Sequence, residues 1–422
     1  MKTVSIIAAT ISGNRGAEAM LTTSIGRIRD KYPDCRFNVY SYYPDDDRVL
    51  INDPSITVFS TTPAYLVCIL FPMSLLLSVI KLTRIKALQF AIPRSVKGID
   101  ESQALIDLAG VSFIDGREKF LPFNILTLAP ALLLGTPVIK FSQAMGPFDH
   151  QFNRYLAKKV LGRCKQLFAR GEKTYNHLLK NDLRNVFPEP VSDAAFLHRQ
   201  SDTLTQESPE QLERFIGGLP TEKKRVIGIC PSSVLAVTMQ RRGKDYSQLI
   251  ARLCNELLSH GYTIVLYPNA TRASHGDSLR NNDLPIIKEI TDHLANQSSL
   301  PKALHAVDFD INTNGIKQIM EHCEIVVVSR FHAMIAALSS QQTVIVFGWS
   351  HKYFEVMKSF ALEELVYDFS QIDPGKAFLA IKQALENKPD ISKKLATGYE
   401  EASASSAKQF HYLFSLLDNN AS

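Results

Sequence analysis

The sequence has few cysteines, and none is placed for a disulfide framework or a zinc site. The six are scattered along the chain, with neither a Cys-x-x-Cys pair nor a histidine cluster at ligand spacing. This pattern is typical of reduced, mostly buried thiols in a cytosolic protein. It argues against a disulfide-stabilised secreted module and against a structural zinc fold.

A strong charge of either sign is also missing. The chain has 47 basic and 42 acidic residues, a formal net charge of +5, and no compact basic run with interleaved aromatic residues. Nucleic acid is therefore not expected as a partner. A mild basic excess suits an anionic small substrate or a membrane surface instead.

No secretory signal peptide is predicted at the amino terminus. The first apolar run, residues 4–9, is short and leads directly into a loop containing Gly13 and Asn14. A signal peptide needs a longer apolar region. The run is instead predicted to be the first buried strand.

Segments of strand and helix character alternate along most of the 422 residues. Such alternation predicts a parallel sheet with helices on both faces, and this length predicts two domains. The predicted fold class is α/β, with two doubly wound, Rossmann-like domains facing a cleft. The predicted parts are a first domain at 1–200 with an apolar, basic-flanked insertion at about 62–98, a linker at 201–224, a second domain at 225–390, and a carboxyl-terminal helix and tail at 391–422.

The stretch 324–349 carries the clearest local pattern. Two β-branched apolar runs flank a helical run, so strand, turn, helix and strand are predicted. Ser329, Arg330 and His332 fall where the first strand ends and the helix begins. Ligands of parallel sheets bind at such strand ends, and a helix amino terminus offers N–H groups to an anion. An anion site is predicted; the alternative is that Arg330 pairs with a core carboxylate and His332 caps the helix.

Residues 63–82 are unusually apolar, without a charge from Ala64 to Ile80 and with basic residues after them. The sequence leaves three alternatives for the structure of this segment. A transmembrane helix is at the lower length limit for a bilayer span and would separate the first strands from their sheet. The others are a helical hairpin broken at Pro72 and a segment lying in a membrane interface, attracted to anionic lipid by the basic residues.

Taken together, the loops at the predicted strand ends resemble the polysaccharide pyruvyl transferase family. The resemblance rests on an ordered set of segments spread over most of the chain. They are Gly-Asn-Arg-Gly-Ala-Glu at 13–18, Phe-Ser-Gln-Ala-Met-Gly-Pro-Phe at 141–148, Ala169 with Arg170, Val-Ser-Asp-Ala-Ala-Phe at 191–196, and Ser-Arg-Phe-His-Ala at 329–333 with Lys352 downstream.

The resemblance implies a glycosyltransferase-B-type architecture and a ketal-forming pyruvyl transferase. Such an enzyme moves the enolpyruvyl group of phosphoenolpyruvate onto a sugar as a pyruvate ketal, in exopolysaccharide or cell-surface glycan synthesis. It implies phosphoenolpyruvate as donor substrate, no separate cofactor, and a sugar or lipid-linked oligosaccharide as acceptor. The expected location is the cytoplasm, with peripheral contact at the inner face of the membrane as one alternative for residues 63–82.

The resemblance also implies roles for three side chains. Arg330 is expected to bind the phosphate or the carboxylate of the donor through two parallel hydrogen bonds, and Arg170 to bind the other group. His332 is the candidate general acid, because an imidazole titrates near neutral pH. For Arg170 the alternative is a surface salt bridge with Glu172.

A base for the sugar hydroxyl is expected from Glu18 or Asp115, and helix capping is the alternative for either. Further residues are candidates for substrate contacts, with an exposed helix lysine as the alternative for the last of them. These candidates are Asn14, Gly16, Gln143, Asp193, Asn269, Ser329 and Lys352. No metal ion is required, since arginines can stabilise the developing charge.

Two other functions stay open at this point. The same fold could serve a glycosyltransferase that uses a nucleotide sugar, because fold does not fix function. Glu355, Glu363 or Glu364 would then bind the ribose. The second is a non-catalytic scaffold held at a membrane by residues 63–82.

Overall fold

The computed structural model describes residues 1–83, 90–205, 209–271, 282–296, 301–348, 350–371 and 373–419. It divides the chain into two compact units. The first unit comprises Met1–Ile11, Met20–Leu204 and Ser403–Ser422, and the second Ser12–Ala19 and Thr205–Ala402. Trp349 and part of the insertion predicted at about 62–98 lie outside the described residues.

The first unit is built on a parallel sheet of six strands, in the order β4-β3-β1-β5-β6-β7. Its strands are short and rich in β-branched and aromatic residues, and most of their side chains are buried, as expected of a sheet covered on both faces. They are β1 (Thr3–Ile7), β3 (Arg36–Ser41), β4 (Ile56–Ser60), β5 (Ala104–Asp107), β6 (Val138–Gln143) and β7 (Gln166–Ala169).

Helices connect these strands in sequence. They are α1 (Arg15–Lys31), α2 (Pro44–Leu50), α3 (Pro63–Tyr65), α4 (Phe71–Thr83), α5 (Arg94–Asp100), α6 (Leu121–Leu134), α7 (Gln151–Leu161) and α8 (Glu172–Lys180). Crossovers between parallel strands are right-handed. The strand order therefore places α1 and α2 on one face of the sheet and α3 to α7 on the other.

The second unit repeats this architecture with a parallel sheet in the order β11-β9-β8-β12-β13-β14. Its central strand is Ile-Val-Val-Val, which is β-branched throughout and fully buried. The strands are β8 (Val226–Cys230), β9 (Thr263–Leu266), β11 (Leu304–Ala306), β12 (Ile325–Val328), β13 (Val344–Gly348) and β14 (Val366–Asp368). The predicted α/β class with two Rossmann-like sheets is confirmed.

The helices of the second unit include one that sequence patterns did not predict, within the expected linker at 201–224. The helices are α9 (Pro209–Gly217), α10 (Ser233–Gln240), α11 (Tyr246–Ser259), α12 (Leu284–Ala295), α13 (Thr313–Glu321), α14 (Phe331–Ser339), α15 (His351–Ser359), α16 (Pro374–Glu386) and α17 (Lys388–Asn419). In the stretch 324–349, the predicted strand, helix and strand correspond to β12, α14 and β13.

Neither unit is a continuous piece of chain. The segment Ser12–Ala19 belongs to the second unit, although residues 1–200 were predicted as one domain. Its strand β2 (Gly13–Asn14) pairs antiparallel with β10 (Ala270–Thr271), and this pairing holds it there. At the other end, α17 continues from the second unit into the first, where the Gln409 side chain accepts a hydrogen bond from the Ser142 N–H at 2.7 Å.

The apolar stretch of the first unit forms continuous helix from Pro63 to Thr83, with a π-helical turn at Leu66–Leu70 between α3 and α4. It is long and apolar enough to span a bilayer when only length and composition are considered. One side of it, however, is part of the core of the unit: Leu66, Leu70 and Ile80 are 0–2% exposed. The alternative of a hairpin broken at Pro72 is wrong, because the helix continues through this residue. Proline removes one hydrogen bond of a helix, and the wider π-helical turn lies just before Pro72, where that bond is missing.

Candidate functional site

The loop after β12 is held by hydrogen bonds from two buried tyrosines. The Tyr246 hydroxyl donates to Ser329 Oγ at 3.0 Å, and the Tyr353 hydroxyl donates to the Ser329 carbonyl at 3.3 Å. Ser329 itself is 2% exposed. Ser329 was predicted to contact substrate. In the structure, its side chain and carbonyl accept the two hydrogen bonds that hold the loop carrying Arg330 and His332.

The Arg330 side chain forms an ion pair with a fully buried carboxylate. Its Nε donates to both oxygens of Asp283 at 3.1 Å, and its Nη2 donates to Ser233 Oγ at 2.9 Å. The same carboxylate accepts the N–H groups of Ser233 at 2.9 Å and Asn269 at 3.2 Å. Arg330 therefore pairs with a core carboxylate, the alternative left open by the sequence, and the buried Asn269 supports that carboxylate through its backbone.

This pairing leaves one edge of the guanidinium available. Burial acts to lower the pKa of Arg330, but the charge and hydrogen bonds of Asp283 outweigh it and raise that pKa above its ordinary value. Nη1 makes no hydrogen bond to the residues that the structure describes, and the side chain is 14% exposed. Arg330 thus combines a fixed, permanently charged fork with a free N–H pair.

The His332 ring packs on the backbone of Gly16. A Cβ added to Gly16 would lie 2.1 Å from both Cγ and Nδ1 of the imidazole, so only glycine fits at this position. Gly16 is in the first turn of α1, and His332 is in the first turn of α14. The N-cap residue of α14 is Arg330, so the alternative that His332 caps the helix is wrong.

Lys352 adds a cation over the neighbouring ring of Phe331. Its Nζ lies 4.6 Å from the centroid of the Phe331 ring, and that ring meets the His332 ring edge-on at 5.3 Å between centroids. A cation over an aromatic face is attracted by its quadrupole. Lys352, predicted to bind substrate, is half-buried in the first turn of α15 rather than a free surface lysine.

Glu18 is part of a buried ionic network. Arg15 Nη1 donates to its carboxylate at 2.9 Å, and Arg15 Nη2 donates to Thr271 Oγ1 at 2.7 Å and also to Asp310. Burial raises the pKa of Glu18, against the lowering effect of Arg15 and of hydrogen bonds from Thr313. Arg15, which the sequence did not single out, therefore joins β10, α13 and the loop before α13 to the start of α1.

The Asn14 side chain serves as a helix cap. Its Oδ1 accepts the N–H groups of Gly16 at 3.1 Å and Ala17 at 3.4 Å. The residue is exposed, so its amide nitrogen can still reach a ligand.

A second cluster lies at the carboxyl ends of the strands of the first unit. Arg170, which follows β7, donates through Nη1 to Asp193 Oδ2 at 2.5 Å and through Nη2 to the Gly110 carbonyl at 2.8 Å. Its side chain is 6% exposed and that of Asp193 is fully buried. The alternative of a surface salt bridge with Glu172 is therefore wrong, because the guanidinium pairs with an internal carboxylate.

Gln143, the last residue of β6, belongs to the same cluster and is fully buried. Its Nε2 donates to the Asp107 carbonyl at 2.8 Å, and its Oε1 accepts from Ser112 Oγ at 2.8 Å. The side chain of Asp107 pairs with the buried Lys140, an ion pair that the apolar strand patterns did not indicate. These contacts hold the strand-end loops of the first unit in place.

Asp115 holds the segment that leads into helix α7. Its Oδ2 accepts the N–H groups of Asp149 at 2.6 Å and His150 at 3.3 Å, and its Oδ1 accepts from the Asn153 amide. Burial acts to raise the pKa of Asp115, but these hydrogen bonds outweigh it, so that the pKa is lowered. Helix capping, the alternative given for this residue, is wrong, because both of these N–H groups precede Gln151, the first residue of α7. The described part of the chain contains no group of three or more His, Cys, Asp or Glu side chains that could hold a metal ion.

Solved structures with similar folds define the class of architecture. UDP-GlcNAc 2-epimerase from Neisseria meningitidis, bound to UDP-GlcNAc, superposes with a TM-score of 0.61 at 13% identity, covering 99% of this chain and 100% of that chain. S. aureus MnaA with UDP gives 0.57 at 9% identity, covering 99% and 98%. The epimerase from Methanocaldococcus jannaschii gives 0.56 at 13% identity, covering 90% and 92%. The fold is therefore of the glycosyltransferase-B type.

Sequence similarity assigns the family within that class. The model of the polysaccharide pyruvyl transferase family matches residues 14–351, well over half of the 422 residues. The chain belongs to the polysaccharide pyruvyl transferase family. The matched range includes Gly16, Arg330 and His332.

Proposed function

We propose that this protein transfers the enolpyruvyl group of phosphoenolpyruvate to a sugar, forming a pyruvate ketal in exopolysaccharide or cell-surface glycan synthesis. Membership in a transferase family supports this reaction. The observation that carries the proposal is the grouping of one imidazole with two cations at the amino terminus of α14. The Phe331 ring contacts both the His332 ring and the Lys352 ammonium, and Arg330 immediately precedes Phe331 in the chain.

Phosphoenolpyruvate carries a phosphate and a carboxylate, and each needs fixed donors. Arg330 Nη1 can donate to one of them while Asp283 holds the rest of the guanidinium. The first N–H groups of α14 and the Lys352 ammonium add positive potential at the same point. Because Arg330 is already positioned by a buried partner, little side-chain entropy is lost when the donor binds.

The proposed reaction has a simple proton balance. Proton transfer to the vinyl carbon of the donor converts its CH₂ group into a methyl group, and a sugar hydroxyl adds to the adjacent carbon. Phosphate then leaves, and a second sugar hydroxyl takes its place to close the ketal. One hydroxyl proton balances the proton gained by the methyl group, and the other leaves with phosphate. We assign proton delivery to His332, through general acid catalysis.

Of the two candidate bases, Glu18 fits better than Asp115. Both Asp115 oxygens accept hydrogen bonds that lower its pKa, so it is a weak proton acceptor. Burial raises the pKa of Glu18, which makes its carboxylate the better proton acceptor of the two. Glu18 is also in the second unit, with His332.

No separate cofactor is part of this proposal, since the donor itself supplies the group that is transferred. The acceptor is a sugar or a lipid-linked oligosaccharide, and the reaction is placed in the cytoplasm. All six cysteines are unpaired, and five are buried, which suits a reducing compartment.

Use of a nucleotide sugar is the second candidate, because UDP-GlcNAc and UDP occupy structures with this fold. Thermal unfolding of the purified protein with phosphoenolpyruvate and with a panel of nucleotide sugars separates the two. A ligand at one hundred times its Kd stabilises the folded state by about 2.7 kcal/mol. Stabilisation by phosphoenolpyruvate supports the proposal, whereas stabilisation by nucleotide sugars alone favours the second candidate.

Variants locate the donor site in the same assay. Lys352→Ala is expected to weaken the thermal shift caused by phosphoenolpyruvate. In a separate phosphate-release assay with acceptor glycans, His332→Ala is expected to abolish activity. Lys358→Ala is the matched control, since Lys358 is an exposed lysine on the same helix. Equal behaviour of the two lysine variants would remove Lys352 from the site.

A further inference from the structure

Three neighbouring helices cover one face of the sheet in the first unit. Right-handed crossovers place α4, α6 and α7 on the same face, and α6 contacts both α4 and α7. The inward side of this layer packs on the core of the unit. Its outward side has an unusual composition for a protein surface.

The outward side of the helix Pro63–Thr83 is apolar along its length. Val67, Leu75, Val79 and Leu82 are 54%, 46%, 48% and 86% exposed. Their spacing of eight, four and three residues keeps them on one side of a helix. Leu66 and Leu70, on the opposite side, are fully buried. The helix is therefore anchored in the core by one stripe and presents a second apolar stripe outward.

The other two helices extend this surface. Helix α6 is apolar at all but two of its 14 residues, Asn124 and Thr127, and several of its aliphatic side chains are partly exposed. Helix α7 presents Phe152 and Tyr155, which are 69% and 56% exposed. The Lys159 Nζ lies 4.9 Å from the centroid of the Tyr155 ring. Aromatic rings with adjacent cations are typical of the boundary between lipid headgroups and acyl chains.

The charged residues of α4, α6 and α7 are all basic, while α5 on the same face carries Arg94, Lys97 and the acidic Asp100. Together α4, α6 and α7 contain four basic residues and no acidic residue, the basic ones being Lys81, Arg154, Lys158 and Lys159. Lys81 and Lys158 pair with Asp100 and Asp182 from neighbouring segments. Arg154 and Lys159 are exposed. A cationic rim beside an apolar stripe complements an anionic lipid surface.

We infer that this face of the first unit binds the surface of an anionic phospholipid bilayer, with the helix Pro63–Thr83 lying in the interface. A bilayer span is ruled out for the folded unit, because the buried stripe of the helix would have to leave the core. This inference does not depend on the transferase reaction. It places the protein at the surface where a lipid-linked acceptor would be found.

The chain provides its own probe of this contact. Cys68 is the one exposed cysteine of the six and lies on the outward side of the helix, beside Val67. We would label Cys68 with a polarity-sensitive fluorophore and add vesicles of phosphatidylglycerol and phosphatidylcholine. Entry into the interface is expected to shift the emission to shorter wavelength and to make the full-length protein float with the vesicles. Pure phosphatidylcholine vesicles and high salt should each weaken binding.

Two multiple-substitution variants test the apolar and the electrostatic contributions to vesicle binding separately. The triple change Leu75→Gln, Val79→Gln and Leu82→Gln is expected to lower vesicle affinity at least tenfold. Its control is Val49→Gln with Leu379→Gln, two apolar residues that are 84% and 56% exposed on other helices. The change Arg154→Gln, Lys158→Gln and Lys159→Gln is expected to remove the preference for anionic lipid, with the exposed Lys223, Lys224 and Lys382 changed to Gln as control.

The results decide the inference in either direction. Absence of flotation and of a spectral shift for the wild type would overturn it. Equal losses in the test variants and their controls would also overturn it, because binding would then not depend on this face. Resistance to alkaline carbonate extraction would contradict an interfacial position. Melting temperatures of all variants, measured alongside, identify any loss that comes from unfolding.

Discussion

The imidazole of His332 lies directly against the backbone of Gly16, and there is no room between them for a side-chain atom on residue 16. The two residues come from widely separated parts of the sequence, and each lies in the first turn of its helix. The position of the ring is therefore set by a glycine in another segment. Any side chain at that position must displace the ring.

Gly16→Ala is expected to disturb the site more than the fold. The added Cβ would overlap Cγ and Nδ1 of His332, so the ring must move by about an ångström or more. Displacement of a catalytic group by that amount can cost about 100-fold in rate, whereas overpacking costs about 1–3 kcal/mol in stability. Steady-state kinetics and thermal unfolding measure the two effects.

The matched control for that change is Gly217→Ala. Gly217 is the last residue of α9, and a Cβ there meets nothing within 4 Å. Activity and stability should both stay near wild type. A Gly16→Ala enzyme with wild-type kcat would show that the ring is not held by this contact.

Asp283→Ala is expected to destabilise the second unit strongly. The change would leave the Arg330 guanidinium mostly buried without its counter-charge and would free the N–H groups of Ser233 and Asn269. Removal of one member of a buried ion pair costs about 3–5 kcal/mol. Urea denaturation gives the loss, and a value near zero would show that Asp283 does not stabilise the loop.

Arg170 and Asp193 should behave as one structural pair in the first unit. Either single change to alanine leaves a buried charge, while the double change removes both. The double variant should therefore be much less destabilised than the sum of the two single variants. A double-mutant cycle is expected to give a coupling energy of about 0.5–3 kcal/mol. Additive losses would mean that the pair contributes no interaction of its own.

The contribution of Asp115 should depend on pH in the acid range. Because the folded state lowers its pKa, the ionised form stabilises the fold above its unfolded pKa of about 3.9. That stabilisation is lost as pH falls through the lowered folded value. Asp115→Ala should cost about 0.5–1.5 kcal/mol at pH 7, the usual net contribution of a hydrogen bond, and progressively less below about pH 4.

The control for this pH series is Asp308→Ala, at an exposed aspartate. Its effect on the free energy of unfolding should be small at every pH. A gap between wild type and Asp115→Ala that stayed constant from pH 7 down to pH 2 would contradict the linkage.

Local patterns predicted the strand-end loops well, because β-branched runs and helical periodicity are local properties. The strand, helix and strand around Arg330 are an example. Long-range contacts left no such pattern. The partner of Arg330, Asp283, follows a polar stretch without periodicity, and the contact of Gly16 with His332 depends on the two-residue pairing of β2 with β10. The sequence places Arg15 in a polar loop, where an exposed side chain is expected, yet its side chain is 4% exposed.

The divided composition of both units has a consequence for synthesis on the ribosome. Ser12–Ala19 leaves the ribosome about 200 residues before the rest of the second unit, and the part of α17 that completes the first unit leaves last. The first unit must therefore wait for Gln409, which hydrogen-bonds to Ser142, until the whole of the second unit has been made. The first unit is therefore completed last, and a chain that stops before residue 403 would lack the part of α17 that belongs to it.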